Sequence, residues 1–329
     1  MAILVCGGAG YIGSHTVAAL VEKGETVVVF DNLVTGHRKS VPDSVAFYEG
    51  DLRNEADLDR VFSNEDVHAV IDFAAYSLVG ESVAQPLKYY ENNVYGTLCL
   101  LRKMVEYKVP YIVFSSTAAT YGEPKQIPIK EEDGTMPTSP YGESKLVVEK
   151  MLKWVGEAHG IKYTALRYFN AAGAHVNGRI GEDHTPESHL IPLVLQVANG
   201  QREQIMVFGD DYPTEDGTCV RDYIHVTDLS DAHVLALRRL QNGGDSRIYN
   251  LGNGKGFSVM EIIRIARAVT GHPIPAVVTK RREGDPATLI ASAEAAINEL
   301  GWKPRYDTVK EIIESAWAWH QANPKGYMD

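Results

Sequence analysis

The stretch ILVCGGAGYIGSHTVAALVEKG (3–24) decides the fold. It runs from apolar residues through a glycine-rich turn into a segment with helical spacing. Gly7, Gly10 and Gly13 form G-x-x-G-x-x-G between the predicted strand and the predicted helix. Glycine at these points permits a tight turn and brings backbone N–H groups close to a pyrophosphate, with the helix N-terminus facing the anion. A glycine triplet alone is weak, because turns are glycine-rich. The strand before it and the helix after it make it a dinucleotide site.

The alternation continues outward. Strands are predicted at 2–6, 26–30, 45–49, 69–73, 111–116 and 163–169, with helices at 12–23, 55–63, 86–107 and 141–159. Nearly continuous apolar strands alternating with helices imply a parallel sheet covered on both faces. The fold class is α/β, a doubly wound sheet of the Rossmann kind, with ligands at the carboxyl ends of its strands. Beyond about residue 170 the pattern loosens. Short strands at 205–209 and 221–226 and helices at 227–240 and 258–270 predict a smaller mixed domain, its segments interleaved with the first.

The chain has 329 residues, 44% of them hydrophobic and 23% charged, as in an ordinary globular protein. A net charge of −11 disfavours nucleic acid or an anionic membrane as the main partner. The three cysteines form no C-x-x-C pair, which fits a reducing, cytoplasmic setting. No apolar run is long enough to predict a membrane span, and MAILVCGGAG lacks the basic start of a signal peptide.

Asp31 falls at the predicted end of the second strand, 18 residues after Gly13. A carboxylate there accepts adenosine ribose hydroxyls and repels a 2′-phosphate, which favours NAD over NADP. Asp51 and Leu52 follow the third strand and are candidates to flank the adenine, although Gly-Asp is also an ordinary turn pair. Three Tyr/Lys pairs share a four-residue spacing: Tyr121/Lys125, Tyr141/Lys145 and Tyr306/Lys310. Pro124 interrupts the first. The third is expected to open a C-terminal helix as a surface pair. The second follows Pro140, a helix-start residue, and lies on one face of the predicted helix 141–159.

The glycine loop, SSTA (115–118) and Y-x-x-x-K (141–145) resemble the extended short-chain dehydrogenase/reductase family. FAAYSLVGES, ENNVYGT, SPYGESK, LRYFNAAGAH, YPTEDGTCVRDYIHVTDL and RREGD, in order along nearly the whole chain, resemble its UDP-glucose 4-epimerase branch. The resemblance implies interconversion of UDP-glucose and UDP-galactose in galactose metabolism, through a 4-keto sugar and retained NAD. It implies an NAD-binding domain at 1–170, a UDP-sugar-binding domain at 171–329, and a homodimer through the helices around 86–107 and 141–159.

The catalytic residues it implies are Tyr141, Lys145 and Thr117. A free tyrosine has a pKa near ~10, so a tyrosine base needs a shift of roughly 3 units, about 4 kcal/mol. Lys145 and the cationic nicotinamide can supply it. Around the cofactor the resemblance places Gly7, Gly10, Tyr11, Ile12 and Gly13; Asp31, Asn32, Asp51 and Leu52; then Phe73, Ala74, Ala75 and Asn92; and finally Tyr168, with Tyr141 and Lys145. Around the sugar nucleotide it places Asn170 (beside Phe169), His189, Leu190 and Phe208, and the diphosphate contacts Arg221 and Arg282, with Arg281 turned to solvent. The resemblance also implies that Asp285 contacts the uridine ribose and that Leu289 closes the sugar pocket.

Three positions depart from relatives. Ser77 stands where many have lysine, His189 where many have asparagine, and Leu289 where some have tyrosine. Leucine there leaves room for UDP-GlcNAc and UDP-GalNAc. His189 also reads as an exposed loop histidine, and Leu289 as simple core packing. His15, His225, His233 and His320 suggest no metal cluster, and the reaction needs none. The alternatives are a 4,6-dehydratase-like enzyme, which the acid-free stretch Thr117–Thr120 disfavours, and a non-catalytic NAD-binding regulator.

Overall fold

The run AILVC becomes β1 (Ala2–Cys6), buried at every position. In a computed structural model that describes residues 1–282 and 285–328, the first half continues with α1 (Tyr11–Glu22), β2 (Val27–Asp31), β3 (Ala46–Glu49), α2 (Glu55–Asn64) and β4 (Val67–Asp72). Then come α3 (Val79–Ala84), α4 (Pro86–Tyr89), α5 (Gly96–Glu106), β5 (Tyr111–Ser115), α6 (Pro140–His159) and β6 (Lys162–Tyr168). The second half adds β7 (Asn170–Ala172), α7 (Leu190–Ala198), β8 (Ile205–Phe208), β9 (Val220–His225), α8 (Val226–Gln241) and β10 (Arg247–Leu251). It ends with β11 (Gly256–Ser258), α9 (Val259–Thr270), β12 (Ala276–Thr279), β13 (Thr288–Leu289) and α10 (Val309–Ala322).

Seven strands form one parallel sheet in the order β10-β6-β5-β4-β1-β2-β3. Its side chains alternate between two cores. Ile3, Val5, Val29 and Ile71 face Val17 and Leu20 of α1 and Leu229 and Leu237 of α8. Leu4, Val28, Val70 and Ile112 face Leu58, Leu100 and Leu152 on the opposite helices. Burial on both faces is why the strands read as unbroken apolar runs. β1 lies between β2 and β4, so the strand order reverses there and opens a crevice at the carboxyl ends. The second half builds a mixed sheet from β7, β9, β11 and β13 and a parallel pair from β8 and β12. A third core joins α7, α9 and α10 through Leu195, Ile263 and Ile312.

Most predicted elements in the first half are present within two residues of their expected ends. The run 86–107 is not one regular helix: residues Tyr90–Tyr95 form a π-helical segment between α4 and α5. That bulge buries Asn93, which donates to Tyr76 O at 3.0 Å and to Ser144 Oγ at 3.1 Å. Such bulges recur at functional sites. Tyr306 is not a surface helical residue either. It precedes α10, and its half-buried ring stacks on His225 at 3.8 Å. Lys310 instead pairs with Glu314. Among the described residues, no helix is long and apolar enough to cross a membrane.

Candidate active site

The glycine loop joins β1 to α1. Gly7 has φ +69°, a conformation that favours glycine. A Cβ on Gly13 would lie 2.1 Å from the Gly7 carbonyl oxygen, so the loop and helix meet only through hydrogen there. Gly10 caps α1 without a side-chain bond, and the first turn holds no acid. The leading amides of α1 therefore remain available to an anion, which fits a dinucleotide pyrophosphate. Ile12 packs on the first core, and the Tyr11 hydroxyl donates to Gly173 O at 2.6 Å.

Asp31 ends β2 and accepts 2.9 Å bonds from the Ala9 and Leu33 amides. It thereby ties β2 to the glycine loop. Burial pushes its carboxyl up, and those amides pull it back. Asn32 donates to Asp51, and Arg53 grips Asp51 at 2.7 and 2.9 Å. That guanidinium holds Asp51 down to about 2. Leu52 is buried beside them. Phe73, Ala74 and Ala75 leave β4 directly under the loop: a Cβ on Gly7 would meet the Ala74 nitrogen at 2.8 Å. Asn92 donates to Asn93 at 3.0 Å.

Helix α6 delivers the Tyr/Lys pair. Ser139 caps it by accepting from Gly142 N at 3.2 Å, Pro140 opens it, and Gly160 closes it at φ +77°. A Cβ on Gly142 would sit 2.5 Å from Ala119 O, so glycine lets the helix approach the exit of β5. Tyr141, Lys145 and Glu149 follow at four-residue steps on one face. The Thr117 side chain lies close enough to the Tyr141 phenol to favour its charged form. Lys145 Nζ donates to Ser115 O at 2.9 Å and lies 4.7 Å from the Phe114 ring. Glu149 accepts from Ser116 at 2.6 Å and pairs with Arg167. Tyr168 bonds Ser115 Oγ at 2.6 Å.

The electrostatics differ from the expectation in one respect. Burial pushes the Tyr141 phenol up, and only the nearby Thr117 side chain opposes it. Lys145 is drawn to Ser115 and toward Asp72, so it does not depress the phenol in the protein alone. Burial lowers the Lys145 ammonium to about 8 and raises Asp72 to about 6. The other spacing matches are structural: Tyr121 is buried, donates to Asn250 at 2.7 Å and lies under Arg167.

On the second half's side, Asn170 opens β7 opposite Tyr223 of β9. Arg221 donates to Pro286 O at 2.8 Å and faces Asp285 at 3.4 Å. Leu289, partly buried in β13, is in register with Arg221. The Arg282 guanidinium lies 3.9 Å from the Phe208 ring. Arg281 is exposed yet engaged, with its Nε 2.5 Å from Asp211 Oδ1. Leu190 packs on the third core. His189 is no free loop histidine. Burial opposes its charge, but the carboxylates of Glu182 and Glu187 hold it up to about 10.

Sequence reasoning missed Asp72, Ser115 and Asn93. Asp72 had a signal, a lone acid ending an apolar strand. Asn93 had none, because only the bulge turns it inward. It also missed the spacing E-x-H-x-x-E-x-H at 182–189.

Residues 3–252 match the model of the NAD dependent epimerase/dehydratase family. A UDP-glucose 4-epimerase from Halalkalibacterium halodurans is 63% identical over 99% of this chain and 98% of its own. A crystal structure of a UDP-glucose 4-epimerase superposes with a TM-score of 0.98 at 61% identity, covering 100% of both chains. The Bifidobacterium longum UDP-glucose 4-epimerase in complex with NAD+ and UDP superposes at 0.95 with 43% identity, over 99% of this chain and 100% of that one. With the glycine loop, the Tyr141/Lys145 helix and the reversed strand order in place, the chain belongs to the NAD-dependent epimerase/dehydratase family, and within it to the UDP-glucose 4-epimerases.

Proposed function

We propose that this chain interconverts UDP-glucose and UDP-galactose, with NAD retained through the cycle. The observation that carries the reading is the meeting of Tyr141 and Thr117 at the carboxyl end of β5, beside the crevice under the glycine loop. The chemistry NAD supplies when bound is reversible hydride acceptance at sugar C4, through a 4-keto sugar, and a positive charge that favours the phenolate. Tyr141 takes the proton of the sugar hydroxyl and returns it. Thr117 holds the reacting oxygen. Lys145 carries positive charge into the site and offers its ammonium to ribose hydroxyls. Gly7, Gly10, Gly13 and Asp31 hold the cofactor's pyrophosphate and adenosine ribose.

Arg221 and Arg282 take the sugar-nucleotide diphosphate, where a planar guanidinium binds two oxygens at once. Asp285 takes the uridine ribose. Residues 1–170 act as the NAD-binding domain and 171–329 as the UDP-sugar-binding domain, interleaved where β10 joins the large sheet. Exposed Val83, Leu87 and Trp154 on α3, α4 and α6 support a homodimer through these helices. Three buried free cysteines fit a cytoplasmic setting.

The test is conversion of UDP-galactose by purified protein with no added NAD, followed by denaturation and assay of the supernatant for NAD. Conversion with released NAD is expected. A requirement for stoichiometric external NAD would make the chain a dehydrogenase instead.

A further inference from the structure

The loop between β7 and α7 gathers Glu182, His184, Glu187 and His189. One ligand atom from each lies within 4.8 Å of all the others. Glu182 Oε1 is 2.8 Å from His189 Nδ1 and 3.4 Å from His184 Nδ1. Glu187 Oε1 is 3.1 Å from His189 Nδ1, and its Oε2 is 3.7 Å from His184 Nδ1. Tetrahedral zinc bonds of ~2.0–2.1 Å place neighbouring ligand atoms about 3.3 Å apart. The two separations that share Glu182 Oε1, 2.8 and 3.4 Å, bracket that edge.

A second observation singles out the same point. His184 Nδ1 is buried, and the Glu182 and Glu187 carboxylates flank it at 3.4 and 3.7 Å without an aligned hydrogen bond. A buried ring nitrogen whose nearest acceptors are misaligned gives up hydrogen-bond energy. A lone pair directed at a metal accounts for it. Charge gives the same answer. The Glu182 and Glu187 side chains are only 4% and 5% exposed, and in the protein alone the imidazoles of His184 and His189 face them as the only positive partners among the described residues. One dication can take the place of the two imidazole protons and balance the same carboxylates. His189 is 40% exposed, which leaves an entry path from solvent.

We infer that Glu182, His184, Glu187 and His189 form a structural site for one divalent transition-metal ion, zinc by its ligand chemistry. Two imidazoles with two carboxylates suit a borderline ion; magnesium and calcium prefer oxygen alone. The site clamps the loop that leads into α7. It also reaches the glycine loop, because the His184 ring meets Tyr11 edge-on at 6.1 Å. The inference does not depend on the epimerase reading.

The experiment uses the full chain, stripped with a chelator and then titrated with Zn2+ by calorimetry. Co2+ is added in parallel as an optical probe. We expect saturation at one ion per chain, a visible Co2+ band of four-coordinate intensity, and a melting temperature raised by several degrees on Zn2+ addition. His184→Gln and Glu182→Gln should each weaken Zn2+ binding by roughly tenfold or more, since each removes a ligand. Absent stoichiometric Zn2+ binding by the stripped wild type overturns the site and leaves a carboxylate–imidazolium network. Equal Zn2+ affinity in folded His184→Gln overturns it too. The Co2+ spectrum of the wild type decides the matter even if neither variant folds.

Discussion

The Lys145 ammonium is held by the Ser115 carbonyl at 2.9 Å, not by the Tyr141 phenol four residues before it. One helical face thus reads out one strand end. Tyr141 meets Thr117, Lys145 meets Ser115, and Glu149 meets Ser116. The i,i+4 spacing aligns three contacts with β5 rather than a Tyr–Lys bond. Burial holds the phenol in its protonated form in the protein alone, so the base proposed at Tyr141 would need the cofactor's positive charge.

Tyr141→Phe should lower turnover by roughly 10²–10⁴, the usual range for losing a general acid–base group. Bound NAD should remain, because the ring still packs. Tyr121→Phe should instead destabilise the fold by about 1–2 kcal/mol, since Asn250 loses its buried donor. Turnover of folded Tyr121→Phe and Tyr306→Phe should stay within a few-fold of wild type. Saturating kinetics on all three variants check this. Equal losses would mean that the wrong tyrosine has been assigned.

Gly13→Ala should release NAD. Its Cβ would lie 2.1 Å from the backbone oxygen of Gly7, which cannot rotate away. The loop must shift, at a cost of about 1–3 kcal/mol as for other overpacked sites. Gly80→Ala is the control, because nothing lies within 4 Å of its Cβ. The measurements are NAD content per chain and melting temperature. Full NAD content in Gly13→Ala would remove the close contact as the reason for glycine.

His233 should contribute to acid lability. Burial depresses it to about 4, and its Nδ1 bonds Leu229 O at 2.9 Å. The unfolded value is near ~6.5, so as pH falls the unfolded chain takes up the proton first. Stability is therefore lost from about pH 6.5 downward, by about 2 kcal/mol at pH 5 relative to pH 8. His15, depressed to about 4, and His225, to about 3, act in the same direction. His233→Leu should flatten the pH 8 to 5 slope by that amount in urea titrations. An unchanged slope would show that His233 titrates normally.

The large sheet was legible because its strands are buried on both faces. Periodicity there has one physical cause, and Leu4 or Val5 tolerates nothing but an apolar residue. β10 and β13 were not legible. RIYNL mixes polar and apolar residues at the edge of the large sheet, and β13 has two residues whose pairing with β9 is set by tertiary contact. The same limit applied to the site. Gly13 and Tyr141 carry local signals. Asn93 acts only through the bulge, and the Arg221–Asp285 contact joins residues 64 apart.

Leu289 should set the sugar range. It lies in β13, in register with Arg221, so its side chain belongs to the strand pair that carries the proposed diphosphate contact. Leucine is smaller than tyrosine and turns about two side-chain torsions, which leaves space for a 2-acetamido group. We expect the wild type to epimerise UDP-N-acetylglucosamine as well as UDP-galactose. Leu289→Tyr should lose the first activity by tenfold or more, as about 1.4 kcal/mol of steric cost would produce, and keep the second. The two substrates are compared by kcat/KM on both proteins. Absence of wild-type activity on UDP-N-acetylglucosamine, beside robust UDP-galactose turnover, sinks the proposal. Activity on both that Leu289→Tyr leaves unchanged would keep the broad range and remove Leu289 as its cause, placing the wall of the pocket on another residue.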